Sequence, residues 1–311
     1  MVRIVISEFM DERAVAMLAS HFDVCYDKSL VEREAEFTRS LASADALIVR
    51  NRTQVTAALI DAAPKLSVVG RLGVGLDNID IPACAARGIT IFPATGANAQ
   101  AVAEYVIAAA MVLLRGAYGS TRAVANGEWP RGALSDGREL FGKTIGVIGF
   151  GSIGRVTGRL ARLLGMRVVG SDANLPVTSP VWAEEATTGR TLDQLLAEAD
   201  VVSLHVPLTA ETHHLIDVTK LAEMKPDAIL INTARGGVVD EAAIANALRA
   251  GKLGGAALDV FDQEPLPAGS PLAVCPHLLL TPHIAGVTRE SNVRVSILIA
   301  EKVAAALSAR S

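Results

Sequence analysis

A chain of 311 residues, half of them apolar and 20% charged, carries enough core-forming material for two domains of ordinary size. Its formal net charge of −4 supplies no basic field, which argues against nucleic acid or an anionic membrane surface as a partner. The three cysteines, Cys25, Cys84 and Cys275, are too few and too scattered for a disulfide framework or a metal cluster, so no metal is expected and a reducing cytoplasm is the expected home.

The opening MVRIVISEFMDE has only a short apolar stretch before acids appear, so it reads as a first strand and not as a signal peptide. Strands are expected at 3–6, 22–26, 46–49, 67–70 and 90–92, alternating with helices such as 11–20, 55–63 and 81–87. Asp80 is placed to cap the last of these helices, with Pro82 in its first turn. This alternation describes an α/β layer with a parallel sheet. Arg50 and Arg52 directly follow its third strand, and Arg71 follows the fourth, leading into Leu72-Gly73-Val74-Gly75. Ligands of such sheets gather at the carboxyl ends of strands, which makes the three arginines candidate anion-binding groups; solvated surface arginines are the alternative.

Residues 98–115 form a long, strongly apolar helical stretch, with helical pattern continuing to about 126 before the irregular arm GEWPRGALSDGREL. The stretch contains Glu104 and is too short for a membrane span, so a buried helix is the better reading. Such a helix calls for cover, which a symmetric dimer supplies; packing within its own chain is the alternative.

A second α/β layer begins with TIGVIGFGSIGRVTGRLARLLGMRVVGSD, residues 144–172. A strand at 145–148 enters a turn with Gly149, Gly151 and Gly154, a helix follows over 155–164, and a second apolar run ends at Asp172. Gly149 permits the tight turn, Gly151 lets a pyrophosphate approach the backbone, and Gly154 lets the helix pack closely on the strand. Asp172 stands at roughly the 20-residue spacing of a carboxylate that accepts from a ribose 2′-hydroxyl and repels a 2′-phosphate, so the expected cofactor is NAD and not NADP.

Further strands are expected at 201–204, 228–231, 256–258 and 278–280, and helices at 192–198, 241–249 and 289–308. The final helix is expected to return to the first layer. That makes 1–97 with 287–311 a substrate-binding domain and 98–286 an NAD-binding domain that includes the helix and arm 98–142, with a cleft between them. Three polar stretches follow strands of the second layer: INTARGGVVDE with Arg235, ALDVFDQEPL with Asp259 and Glu264, and LTPHIAG with His283. An imidazole supported by a carboxylate suits proton exchange with a reacting oxygen, and a guanidinium fork suits a substrate carboxylate. His283, Glu264 and Arg235 are the candidates for these roles. His205 is expected to line the cofactor site, with His213 and His214 on the surface.

The chain resembles the D-isomer-specific 2-hydroxyacid dehydrogenases, in their phosphoglycerate dehydrogenase branch, over essentially its whole length. The resemblance lies in GRLGVGLDNID, NAQAVAEYV, the W-P-R arm with ELFGKTIGVIGFGSIG, DVVSLHVPLT, LINTARGGVVDE, ALDVFDQEP and TPHIAG. It implies two doubly wound α/β domains, Rossmann-like and flavodoxin-like, with parallel sheets. It implies Arg235 and Glu264 as catalytic residues and His283 as proton donor. NAD contacts are implied from Ser152, Ile153, Asp172, Val206, Pro207, Thr212, Thr233, Ala234, Asp259 and the stretch from His283 to Gly286. The amides of Gly73 and Val74 would meet the substrate carboxylate, the long helix and arm would form a homodimer or tetramer, and Arg131 would stand where a neighbouring subunit's site is reached. The regulatory serine-sensing domain of many relatives is not expected here. The arginines suggest a small 2-hydroxy or 2-keto acid with a second anion. ISEFMDE, IVRNRTQV and LLRGAY are similar to segments of bacterial members that act on 3-sulfolactate, which is favoured over 3-phosphoglycerate and over hydroxypyruvate or glyoxylate. Formate dehydrogenases of the family carry Gln in place of Glu264. The non-enzymatic rival is an NAD-sensing corepressor on the same fold.

Overall fold

The computed structural model describes residues 1–309, which divide into two compact units, residues 1–98 with 287–309 and residues 99–286. The first unit contains β1 (Arg3–Ile6), α1 (Glu12–Ala19), β2 (Asp23–Tyr26), α2 (Glu34–Leu41), β3 (Ala46–Val49), α3 (Ala57–Asp61), β4 (Val68–Arg71), α4 (Ile81–Ala86) and β5 (Thr90–Pro93). Its five strands are all parallel, in the order β2-β1-β3-β4-β5. This is the flavodoxin-like order, and the Ala46–Val49 run is fully buried because helices cover both faces of such a sheet.

The second unit opens with α5 (Ala99–Arg115) and the short α6 (Thr121–Ala125). Then come β6 (Thr144–Ile148), α7 (Ser152–Leu163), β7 (Arg167–Ser171), α8 (Pro180–Glu184), β8 (Thr188–Gly189), α9 (Leu192–Glu198) and β9 (Val201–Leu204). The unit closes with α10 (Val218–Glu223), β10 (Ile229–Asn232), α11 (Glu241–Arg249), β11 (Gly255–Leu258) and β12 (Leu278–Leu280). Its seven parallel strands run β12-β11-β10-β9-β6-β7-β8, a Rossmann order that reverses between β6 and β9.

The final helix, α12 (Arg289–Ser308), belongs to the first unit. Ile299 and Val303 are fully buried in that unit's core, and a Cβ built on Gly70 of β4 would come within 2.7 Å of Ile299 and 2.9 Å of Val303. Helix and strand are therefore packed at a distance only glycine permits.

Several elements depart from the reading of the sequence. The helix expected from 155 starts at Ser152, because Gly151 serves as its N-cap and the turn ends sooner than the apolar period suggests. The helix expected over 55–63 is shorter: Thr56 caps it through the Leu59 amide, and Val55 is bridged to Ile79. α2, α8, β8 and α10 were not anticipated. The long helix α5 finds its cover within the chain, since Val106, Ile107, Ala110 and Leu114 share a core with Phe150 and Ala161 beside α7. Exposed apolar side chains instead follow it, at Tyr118, Val124, Trp129 and Phe141. Among the described residues no single helix is long and apolar enough to cross a membrane.

Replacing Ile299 by Ala should destabilise the first unit by about 2–5 kcal/mol, the range for emptying a fully buried aliphatic site. Chemical unfolding followed by circular dichroism checks this; a loss well below that range would show that α12 is not part of the core.

Candidate active site

In the second unit the strand order reverses between β6 and β9, and the glycine turn sits there. Gly149 has a φ of +89°, and a Cβ on it would lie 2.6 Å from the His205 carbonyl oxygen. A Cβ on Gly154 would lie 2.2 Å from the Gly149 carbonyl, so α7 rests directly on the turn. Gly151 has open space where a Cβ would be. No side chain caps α7, leaving the first amides of the helix, on Ser152, Ile153 and Gly154, directed at that space. Asp172 is fixed by the same turn: Oδ2 accepts from the Phe150 amide at 2.7 Å and Oδ1 from the Asn174 amide at 2.8 Å.

Two buried polar atoms next to this edge have no partner, the hydroxyl oxygen of Thr233 after β10 and Nδ1 of His205 after β9. Burial pushes the His205 imidazole down to about 3, so it is neutral at physiological pH, with Nε2 paired to the Ser203 hydroxyl at 2.9 Å. Orphaned polar atoms beside open backbone amides suit a polar ligand such as a dinucleotide. Val206, Pro207 and Thr212 lie in the loop after β9, where the Thr212 hydroxyl donates to the Pro207 carbonyl at 2.6 Å.

The next strand ends carry the candidate reactive groups. Asn232 is fully buried at the end of β10; its Oδ1 accepts from the Ala234 amide and its Nδ2 donates to the Arg235 carbonyl, holding the loop that presents the half-buried Arg235. Asp259 is buried after β11, and its carboxylate accepts from Ile284 at 2.9 Å, Ala285 at 2.8 Å and the Thr281 hydroxyl at 2.6 Å. Tyr105 of α5 meets the same Thr281 hydroxyl at 2.7 Å. Within this clamp His283 adopts a φ of +53°, a left-handed conformation uncommon for a residue with a side chain. Its Nδ1 lies 2.8 Å from Oε2 of Glu264, whose Oε1 accepts from the Phe261 amide at 3.1 Å. The imidazole is half exposed, leaving Nε2 as the ring nitrogen that faces away from the pair. A group held this way can exchange a proton through Nε2 while the carboxylate sets its tautomer. His213 and His214 lie in the loop after β9, with their rings stacked at 4.0 Å.

In the first unit, Glu8 was missed by sequence reasoning. It is 3% exposed at the end of β1, and its carboxylate accepts from the backbone amides of Arg50 and Thr53 through Oε1 and of Arg52 through Oε2. Burial pushes this carboxyl up, but the amides of Thr53, Arg50 and Arg52 outweigh it and hold it below the usual carboxylate range. Asn78 completes the clamp by donating to the Arg50 and Thr53 carbonyls at 3.1 and 2.7 Å. An acid straight after a strand gives no hint in sequence of which loop it will meet.

The arginines on this edge have different fates. Arg50 donates to Oδ1 of Asn292 on α12 at 2.9 Å and lies 5.8 Å from the centre of the Phe9 ring. Arg52 is half exposed and paired with Glu32 at 2.9 Å. The Arg71 guanidinium folds over Gly73, where a Cβ would lie 1.5 Å from Nη1. The Gly73 amide donates to the Arg71 carbonyl at 2.8 Å. Arg131 is exposed on the arm. Among the described residues no His, Cys, Asp and Glu side chains group into a metal site.

Residues 107–285 match the family model described as D-isomer specific 2-hydroxyacid dehydrogenase, NAD binding domain. The chain belongs to this family. It is an NAD-dependent oxidoreductase, and its two parallel sheets are those of the family's fold. It is 52% identical over 307 residues to the (S)-sulfolactate dehydrogenase of Chromohalobacter salexigens, covering 99% of both chains. It is 37% identical to the D-3-phosphoglycerate dehydrogenase of Synechocystis sp., where 97% of this chain covers 54% of that protein, so it spans about half that relative's length. A solved structure of the TT0316 protein from Thermus thermophilus superposes with a TM-score of 0.88 at 35% identity, covering 99% of this chain and 97% of that one.

The Glu8 clamp has a pH signature. A carboxylate held below its unfolded value contributes stability that is complete above the unfolded value, near pH 4.3, and is lost as pH falls through the folded one. Glu8→Gln should therefore cost about 1–3 kcal/mol at pH 7 and flatten the loss of stability as pH falls below about 4.3. Urea unfolding at each pH measures both effects; equal stability of the two proteins at pH 7 would count against the clamp.

Proposed function

We propose that this dehydrogenase interconverts (S)-3-sulfolactate and 3-sulfopyruvate, working in the cytoplasm as a homodimer. The observation that carries the reaction is the His283–Glu264 pair at the carboxyl edge of a parallel sheet, one loop away from Arg235. NADH, when bound, supplies the hydride that the keto carbon receives. His283 hydrogen-bonds the substrate oxygen through Nε2 and delivers the proton that converts it to a hydroxyl, while Glu264 keeps Nδ1 protonated and stabilises the imidazolium. Arg235 offers a fork suited to the substrate carboxylate. In the first unit, the Gly73 and Val74 region and Arg50 are the groups suited to an anion, Arg50 to the second one. In the opposite direction His283 takes the hydroxyl proton. The open amides of Ser152 and Ile153 hold the pyrophosphate, Asp172 takes the ribose hydroxyls, and Val206, Pro207, Thr212, Thr233, Ala234, Asp259 and Gly286 complete the cofactor contacts.

The likeness to the Chromohalobacter enzyme over nearly the whole of both chains supports sulfolactate as the substrate. Its configuration agrees with the family's preference. In sulfolactate the sulfur-bearing carbon outranks the carboxyl carbon, so the S descriptor denotes the arrangement that is called D in lactate. The dimer is supported by the apolar side chains exposed after α5, among them Trp129 at 77% and Phe141 at 78%, which a symmetric contact would cover.

NADH oxidation should be fastest, by kcat/KM, with sulfopyruvate in a panel that includes 3-phosphohydroxypyruvate, hydroxypyruvate and glyoxylate. A clear preference for another member of the panel would replace sulfolactate as the substrate, and no turnover of any, with NAD still bound, would favour the corepressor reading. His283→Ala should lower kcat by about 100-fold or more while leaving the dissociation constant for NADH within a factor of a few. Near-normal turnover in that variant would remove His283 from the mechanism.

A further inference from the structure

The loop after β3 carries two guanidinium groups within two residues of each other, yet the fold offers only one of them to a ligand. Arg52 is drawn away by Glu32, in the short turn that follows β2, with Nη1 2.9 Å from Oε1. Arg33, the next residue along, is already engaged with Asp27 and Glu36. Arg50 is held differently: its Nη2 donates to a neutral amide on Asn292, and its guanidinium lies beside the Phe9 ring. Neither contact cancels its charge, and together they restrict where the guanidinium can point. Glu8 adds a further negative charge directly under the loop, spent on three backbone amides.

Arg52 and Glu32 therefore cancel as an ion pair and Glu8 is met by backbone amides, which leaves Arg50, half-buried and held by Asn292, as the guanidinium of this loop with no carboxylate among the described residues in direct contact. A sulfonate carries one negative charge at any ordinary pH, whereas a phosphate monoester carries about 1.5 to 2 at pH 7. A loop with one guanidinium left uncancelled matches the first and undercompensates the second. We propose that Glu32 is a specificity-determining residue, which by pairing with Arg52 tunes this loop to a monoanionic sulfonate in preference to a dianionic phosphate. The proposal rests on the reading of the substrate as a 2-hydroxy acid with a second anionic group, bound through Arg50.

Glu32→Gln removes the charge but keeps the shape, and frees Arg52 to turn towards the ligand. In the full-length enzyme with NADH, the kcat/KM ratio of 3-phosphohydroxypyruvate to sulfopyruvate should rise about 5-fold, the scale of one unit charge acting at short range near a protein surface. The rise should lie in KM, since the anion binds equally in ground and transition states, and should shrink as salt is added. Glu32→Asp, which retains the charge, should keep the ratio near that of the wild type. A ratio unchanged in Glu32→Gln, or raised equally in Glu32→Asp, would overturn the charge matching while the substrate reading stands. Wild-type enzyme that turns over neither acid would overturn the substrate reading, and the role of Glu32 with it.

Discussion

A carboxylate taken out of water must be met by donors, and Asp259 shows what a fold can do with that requirement. It is buried beneath the loop that follows β12, and two backbone amides and a hydroxyl from residues 281–285 close on it. The conformation of His283 follows. A φ of +53° costs free energy on its own, and it persists because the amide of His283 is held by the Asp259 carbonyl and the two amides that follow it by the Asp259 carboxylate. The imidazole is thereby aimed at Glu264 before any ligand arrives. Preorganisation of this kind matters because a proton transferred to a developing alkoxide is useful only when donor and oxygen are already aligned.

The same device recurs wherever a parallel strand ends and its chain must turn. Asn232 ties down the loop that bears Arg235, and Glu8 with Asn78 ties down the loop that bears Arg50. In each case the buried polar group comes from the strand end itself or from a neighbouring one, so the sheet order decides which loop each residue can reach. β1 lies beside β3, and this adjacency alone brings Glu8 under Arg50. The loops carry the candidate site residues, and the strand ends carry the loops.

This explains what could be read from the amino-acid sequence and what could not. The glycine turn was legible because each glycine answers a local demand: Gly149 a positive φ, Gly151 an open approach, Gly154 a close contact. Long strands and the helix over 289–308 were legible from their apolar patterns. Short elements such as α8 and β8 were not, since five residues or two give no period to detect. Glu8, Glu32 and Asn292 were missed for a different reason: their significance lies in partners 20 to 242 residues away, and three-dimensional pairing leaves no local mark. The apolar helix α5 was legible as a helix, but its period could not say that α7 of its own chain would cover it.

The placement of α12 bears on how the chain reaches its native state. Strand β4 presents Gly70 to Ile299 and Val303, which lie on the far side of the entire second unit in sequence. During synthesis the first five strands emerge without the helix that seals one face of their sheet, whereas residues 99–286 contain every strand and helix of their own unit. The segment made first is thus completed last. An apolar sheet face waits in solvent while a whole domain is assembled behind it, and in that interval the chain is most exposed to misassociation or capture by a chaperone.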